Sequence, residues 1–211
     1  MNLVIIIPCR GLQSGKQRLS TRLDPIARGD LNRWLLTNTV YAASAALNDP
    51  RRCIVVSPDP DARRLAGSLG IGIIDEPPGI GLNAALALAR LKVCQAGADV
   101  VIVLPVDLPL LDAAIVRALV AESMRAVAAG RALIAPDRAA TGTNALALDA
   151  RLTFAFQFGA DSCAHHYAEA NRHGLGLTRY TIPQLAFDLD WPADYDRWQE
   201  HRARHRLTRP Y

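Results

Sequence analysis

Lysine is scarce in this chain: of 24 basic residues only Lys16 and Lys92 are lysine, and the rest are arginine. Lys16 stands in the stretch Arg10-Gly11-Leu12-Gln13-Ser14-Gly15-Lys16-Gln17-Arg18, shortly after the apolar run Leu3 to Ile7. Glycine frees backbone amides, and fixed cations beside such amides make a nest for an anion such as a phosphate. A Walker A loop is excluded, because that motif needs four residues between its glycines and a Ser or Thr after its lysine. Here three residues separate Gly11 from Gly15, and Gln17 follows Lys16. The competing reading is a glycine-rich surface turn with solvated charges.

Two acidic stretches complement this basic loop. Pro105-Val106-Asp107-Leu108-Pro109 holds one carboxylate between two prolines, directly after the apolar run Val100 to Leu104. Proline stiffens the backbone, and the exit of a buried strand is where α/β folds bind ligands. A hard cation such as Mg²⁺ takes one or two carboxylates and completes its octahedron with water and phosphate oxygens, so Asp107 could hold one beside a nucleotide. The alternative is a cap for the next helix. In Phe187-Asp188-Leu189-Asp190-Trp191-Pro192 the acids are two apart, which in an extended segment puts them on one face. Pro192 suits a first helical turn, so the boundary falls at Asp190 or Trp191. One acid of the pair would be a second ligand and the other a cap. Sequence alone does not bring residue 190 to residue 107.

Other constellations are weaker. Gly79-Ile80-Gly81-Leu82-Asn83-Ala84 fits G-x-G-x-x-A, but it follows the third strand-like run and the acidic Asp75-Glu76-Pro77-Pro78, a poor approach for a pyrophosphate. His201 and His205 are four apart without the H-E-x-x-H glutamate, and read as solvated surface. There is no G-x-S-x-G elbow and no Cys, His and Asp grouping. Any chemistry should therefore proceed without a covalent nucleophile. Cys9, Cys53, Cys94 and Cys163 form no C-x-x-C pair and read as packing residues.

The elements that must position these residues follow from pattern. Short apolar, largely β-branched runs recur at Leu3 to Ile7, Cys53 to Val56, Ile71 to Ile74, Val100 to Leu104 and Ala132 to Ala135. Helical patterns lie between them at Leu31 to Leu47, Ala62 to Leu69 and Ala84 to Ala96. This alternation predicts an α/β fold with an open, mixed but mostly parallel sheet and flanking helices. The last third is less regular: strands at Asn144 to Leu148 and Leu177 to Ile182, helices at Asp161 to Arg172 and Pro192 to Arg206. Functional loops should sit at the carboxyl ends of the strands, where strand order reverses.

Length and composition bound the rest. At 211 residues, with no linker or repeat, residues 1–211 are expected to form a single domain that needs no disulfides. No apolar run approaches the roughly 20 residues of a bilayer span. The start, MNLVIIIPCR, lacks a basic region and a cleavage site, so a cytoplasmic location is expected. The net charge of +4 is concentrated between Arg197 and Arg209, so a nucleic-acid footprint over the whole surface is not demanded.

Taken together the motifs resemble a known family. Lys16-x-Arg18-Leu19-Ser20, Gly81-Leu82-Asn83, Pro105-x-Asp107-Leu108-Pro109-Leu110, Ala135-Pro136-Asp137-Arg138, Thr143-Asn144-Ala145-Leu146, Phe158-Gly159-x-x-Ser162 and Asp188-x-Asp190-x-Pro192 occur in this order. The chain resembles the CofC-like guanylyltransferases of coenzyme F(420) biosynthesis, over nearly its whole length. The resemblance implies a nucleotidyltransferase fold of the glycosyltransferase-A type, GTP as donor, and 2-phospho-L-lactate, phosphoenolpyruvate or 3-phospho-D-glycerate as acceptor. It implies Mg²⁺ on Asp107 and Asp190, with Asp188 as the alternate second ligand. Lys16 and Arg18 would address the triphosphate, aided by Arg10 and Gly11, with Gly81 and Asn83 against the nucleoside. Thr143, Asn144, Gly159 and Ser162 would hold the acid, and His166 stands where the family often has histidine. Arg10 replaces a frequent lysine and Cys163 a usual phenylalanine, which puts the acid pocket in question. A homodimer and coupling to a downstream deazaflavin transferase are compatible with the resemblance, with no nucleic acid or membrane involved.

Two rivals make different demands. A non-catalytic basic α/β module would bind nucleotide or RNA through Arg10, Arg18 and the C-terminal arginines, with steep salt dependence. A glycosyltransferase would want a D-x-D pair after a central strand, which Asp107-Leu108-Pro109 lacks.

Overall fold

The computed structural model describes residues 1–77 and 79–204. Its elements run β1 (Leu3–Pro8), α1 (Pro25–Leu47), β2 (Cys53–Ser57), α2 (Pro60–Ser68), β3 (Gly72–Asp75), α3 (Gly81–Gln95), β4 (Val100–Val103), α4 (Ala113–Ala128), β5 (Arg131–Pro136), β6 (Thr143–Asp149), α5 (Ser162–Arg172), β7 (Gly176–Arg179), α6 (Pro183–Ala186) and α7 (Pro192–Arg204). The central strands form because runs such as Leu3–Pro8 and Val100–Val103 are apolar throughout and buried at every position. That is what a strand covered by helices on both faces requires.

Among the described residues the strands form one sheet in the order β3-β2-β1-β4-β6-β5-β7. β1 pairs in parallel with both β2 and β4, whereas β6 runs antiparallel to β4 and β5. Chain order reverses direction between β1 and β4, so the loops leaving these two strands face one crevice. They are the loops that carry Lys16 and Asp107. Because β6 is antiparallel to β4, with Leu146 opposite Val103, its first residue Thr143 lies alongside the exit of β4.

The core has three parts. Leu3, Ile5 and Ile7 point to one face of the sheet, against Leu36 and Val40 of α1 and Val116 and Leu119 of α4. Val4 and Ile6 point to the other, with Leu86 and Ala89 of α3 and Cys163 and Ala170 of α5. A third, smaller cluster joins Leu19, Leu31, Leu35, Leu189 and Trp198. It clasps the loop after Lys16, the start of α1, the Asp188–Asp190 segment and α7 into one unit. Burying leucines of this kind stabilises by about 1.5–3 kcal/mol each.

Helix ends are cut by their own residues. Asp24 caps α1 by accepting from the Ala27 N–H at 2.8 Å, with Pro25 in the first turn. Asp112 caps α4 in the same way through the Ile115 N–H. The capping alternative for Asp107 is thereby overturned: the acid that caps the next helix is Asp112, and Asp107 is left for other work. Four features were not read from pattern: α4, the single turn of α6, the start of α1 at Pro25 rather than Leu31, and the end of β7 at Arg179 rather than Ile182. His205, Arg206, Arg209 and Pro78 lie outside the described residues.

Candidate active site

The loop after β1 is folded by buried polar anchors. The Leu12 N–H donates to Asp59 at 2.7 Å, and the Asn32 side-chain amide donates to the Leu12 carbonyl at 2.8 Å. Gly11 adopts φ +153°, and a Cβ there would come within 2.8 Å of the Ser14 hydroxyl and 3.1 Å of Asp59. Glycine is therefore needed where the loop doubles back. Lys16 itself is left-handed, with φ 56° and ψ 37°, an uncommon and costly conformation for a residue with a Cβ. It opens a short 3-10 turn over Gln17–Leu19, and buried Leu19 anchors that turn in the third core cluster.

This conformation sends the Lys16 side chain inward. It is only 9% exposed, with Nζ 2.9 Å from Asp190 Oδ1 and 3.6 Å from Asp107 Oδ2. Burial pulls the ammonium pKa down, but Asp107 and Asp190 outweigh it and hold the group above the ordinary lysine value. The scarce lysine is thus a permanently charged cation between two carboxylates. Arg18 is more exposed; its guanidinium lies 3.7 Å from Asp190 and 4.5 Å over the Trp191 ring.

The step that sequence could not supply is made by a backbone hydrogen bond. The Leu189 N–H donates to the Asp107 carbonyl at 2.9 Å, which lays the segment 188–190 along the loop after β4. Asp194 then holds Asp190 in place. Its carboxylate accepts from the N–H groups of Trp191 at 2.9 Å and Asp190 at 3.3 Å, and is paired with Arg138. An acid in the first helical turn that reaches back to the start of its own helix is half of a capping box. The expectation that Asp188 or Asp190 caps α7 is corrected: Asp194 does so, leaving both earlier acids to face the crevice.

Asp107, Asp188 and Asp190 crowd one another. Burial first, and then Asp107, push the Asp188 carboxyl up to about 6. With Lys16 as the buried countercharge, the centre holds more negative than positive charge, which suits a divalent cation. Among the described residues no group of three or more His, Cys, Asp or Glu side chains is placed to hold a metal ion, so a cation here would have at most two carboxylate ligands. Two carboxylates with open positions for water and phosphate are what Mg²⁺ prefers, so the residues fit it.

Beside this centre lies a second polar group. Thr143, Asn144, Ser162 and His166 are all buried, near the starts of β6 and α5. Thr143 Oγ1 is 3.0 Å from His166 Nδ1, and the Gln157 N–H donates to His166 Nε2 at 3.0 Å. The Asn144 side-chain amide donates to the Leu185 carbonyl at 3.0 Å and so ties β6 to α6. Gly159 is exposed, at φ +136° with open space where a Cβ would be. Cys163 is buried within the apolar core, and its N–H donates to the Thr141 carbonyl.

The candidate nucleoside residues lie at the start of α3. Gly81 has φ +75° with open space around it. Asn83 accepts from the Phe158 N–H at 2.8 Å and donates to the Phe158 carbonyl at 3.1 Å, so its amide clamps the segment before α5. Arg10 is exposed. The G-x-G-x-x-A stretch follows β3, the third strand in the chain and an edge strand of the sheet, whereas the dinucleotide fingerprint belongs to the first βα unit, which disfavours the dinucleotide reading. Sequence reasoning missed Asp194 and Arg138 as organisers of the acidic loop. The signal for Asp194 was present, since Pro192 and Asp194 occupy first-turn positions of a helix.

A profile of the family described as "Guanylyl transferase CofC like" matches residues 3–201. The chain belongs to that family. It is 38% identical over 200 residues to a phosphoenolpyruvate guanylyltransferase from Rubrobacter xylanophilus, covering 93% of each chain. It is 36% identical over 192 residues to a 3-phospho-D-glycerate guanylyltransferase from Phenylobacterium zucineum, covering 90% of this chain and 86% of that one. A cytidylyltransferase structure from Leptospira borgpetersenii superposes with a TM-score of 0.64 at 11% identity, over 97% of this chain and 87% of that one, and shares the fold. This CofC-like chain is a nucleotidyltransferase, and the reading as a non-catalytic binding module is set aside. No described helix is long and apolar enough to cross a membrane.

Proposed function

We propose that this chain joins the GMP moiety of GTP to a phosphate oxygen of a small phospho-acid, with release of pyrophosphate, in coenzyme F(420) biosynthesis. The observation that carries this reading is the Lys16 ammonium, buried between Asp107 and Asp190 at the point where strand order reverses. Transfer between two polyanions asks for charge neutralisation and alignment rather than a covalent nucleophile. The acid's phosphate is already an anion at neutral pH, so no general base is needed.

In this reading the phosphate attacks the α-phosphorus of GTP in line, a new P–O bond forms, and the bond to the β-phosphate oxygen breaks. Lys16 and Arg18 stabilise charge on the triphosphate and the departing pyrophosphate, and the backbone around Gly11, with Arg10, lines the phosphate path. Asp107 and Asp190, with Asp188 as alternate, would hold Mg²⁺. Bound there, the metal supplies Lewis-acid neutralisation at the α-phosphate. Gly81 and Asn83 border the guanosine. Thr143, Asn144, Gly159 and Ser162 take the acid's carboxylate and phosphate with the hydroxyls of Thr143 and Ser162 and with backbone N–H groups, the Asn144 side-chain amide being held by the Leu185 carbonyl. Residues 1–211 act as one nucleotidyltransferase domain in the cytoplasm, and the activated acid passes to a deazaflavin transferase.

The test is turnover of GTP with Mg²⁺ and each of phosphoenolpyruvate, 3-phospho-D-glycerate and 2-phospho-L-lactate, followed by pyrophosphate release and product mass. The first two acids appear in the names of the relatives from Rubrobacter and Phenylobacterium. Expected is pyrophosphate release that depends on one acid, together with a product carrying GMP. Intact GTP with all three acids would contradict the reading.

A further inference from the structure

His166 is fully buried, yet both of its ring nitrogens are engaged. A backbone N–H can only donate, so Nε2, which receives the Gln157 N–H, carries a lone pair and no proton. The proton of the neutral ring is then on Nδ1, and Nδ1–H donates to Thr143 Oγ1. An imidazolium would set Nε2–H against the Gln157 N–H, so this arrangement admits one protonation state. Burial, aided by neighbouring His165 and opposed by Glu169, pushes the His166 pKa down to about 4, which keeps the ring neutral.

The consequence falls on Thr143. Its hydroxyl has one hydrogen and accepts through its lone pairs. With Nδ1–H occupying an acceptor direction, the hydroxyl hydrogen has to leave along another. The surroundings hold the ring still: Phe158 packs edge-on to His166 at 4.9 Å between centroids, and Phe154 lies at 6.1 Å. Asn83 in turn grips both backbone polar groups of Phe158, next to the Gln157 amide that sets the tautomer.

We infer that His166 is a positioning residue, fixed as its Nδ1–H tautomer, which turns the Thr143 hydroxyl into a dedicated donor toward the anionic oxygens of the phospho-acid. This rests on the proposed function and adds to it the residue that sets the polarity of the acid subsite. His166 touches no reacting atom; it acts through Thr143.

The variants separate this from a merely structural role. Asn places an amide near the Nδ1 position, so His166→Asn keeps a donor for Thr143 and loses the acceptor for Gln157. His166→Gln reaches to the Nε2 position, keeping the acceptor and losing the donor. A hydrogen bond to a charged group corresponds to about a tenfold to hundredfold change in affinity. Expected is that His166→Gln and His166→Leu raise the KM for the acid by that factor, with the KM for GTP within about threefold of wild type, whereas His166→Asn stays near wild type. In a Thr143→Val background, His166→Leu should add little further loss. The opposite order of Asn and Gln, equal effects on both substrates, or additive losses in the double variant would overturn the inference.

Nitrogen-15 NMR of the ring in the substrate-free wild-type protein gives a second readout independent of turnover. A protonated Nδ1 and bare Nε2 are expected, and a protonated Nε2 overturns the inference even in an active enzyme. A correct tautomer in a protein that converts none of the acids would instead overturn the proposed function, and the substrate half of this inference with it.

Discussion

Lys16→Met should cut kcat by about 10²- to 10³-fold while leaving a folded protein, the scale of losing one preorganised charge at a transferring group. The methionine fills the same buried slot without the ammonium. Lys16→Arg should fail almost as badly. The side chain is only 9% exposed and its single nitrogen lies 2.9 Å from Asp190 and 3.6 Å from Asp107, a space suited to one compact charge and not to a planar fork. Arg18→Ala should be milder, about tenfold, because Arg18 is largely exposed and 3.7 Å from Asp190. Steady-state kinetics with Mg²⁺, GTP and the accepted acid check all three. Near-normal kcat in Lys16→Met would remove the lysine from the chemistry, and full rescue by arginine would show that charge alone suffices.

The second large effect is expected at the carboxylates. Asp107→Asn and Asp190→Asn should each lower kcat by about 10²-fold or more at saturating Mg²⁺, with the metal concentration for half-maximal rate shifted upward. Burial is the main reason the Asp188 carboxyl is pushed up to about 6, and removing either acid relieves the carboxylate repulsion that adds to it, so folding should survive. Asp188→Asn tests the alternate ligand. If it is as damaging as Asp190→Asn, the two acids share the metal. If Asp190→Asn is harmless and Asp188→Asn is not, the second ligand is Asp188. Titration of activity against Mg²⁺ for the three variants gives the comparison. An unchanged kcat in Asp107→Asn would contradict the metal-holding role given to the crevice.

Much of the fold was legible because its strands are buried on both faces. β1, β2, β4 and β5 are continuous apolar runs, and their limits follow the run to within a residue or two. α4, AAIVRALVAESMRAVA, escaped although its apolar and polar faces are better separated than those of α1 and α3, so amphipathic pattern does not account for the miss. At the site, Lys16 was legible from its rarity and Asp107 from its place between prolines after a strand. Their meeting with Asp190 was not, since it depends on the non-local hydrogen bond from Leu189 to the Asp107 carbonyl and on the cluster that buries Leu189 with Leu19 and Trp198. The family resemblance set Asn83 and Asn144 against ligands, yet the structure ties their side-chain amides to the backbones of Phe158 and Leu185. No spacing rule separates a polar side chain that meets a ligand from one that ties two segments together.

The central claim is direct transfer of GMP onto an acid's phosphate, with Lys16 and the carboxylates serving only to align and neutralise. The most direct measurement uses phospho-acid labelled with oxygen-18 on its phosphate, reacted with GTP and Mg²⁺ and followed by phosphorus-31 NMR and mass. Expected is that all the label stays in the product, including the oxygen bridging the acid's phosphorus and the α-phosphorus, while the pyrophosphate is unlabelled. Label in the pyrophosphate, or release of free GMP in place of a joined product, would contradict it.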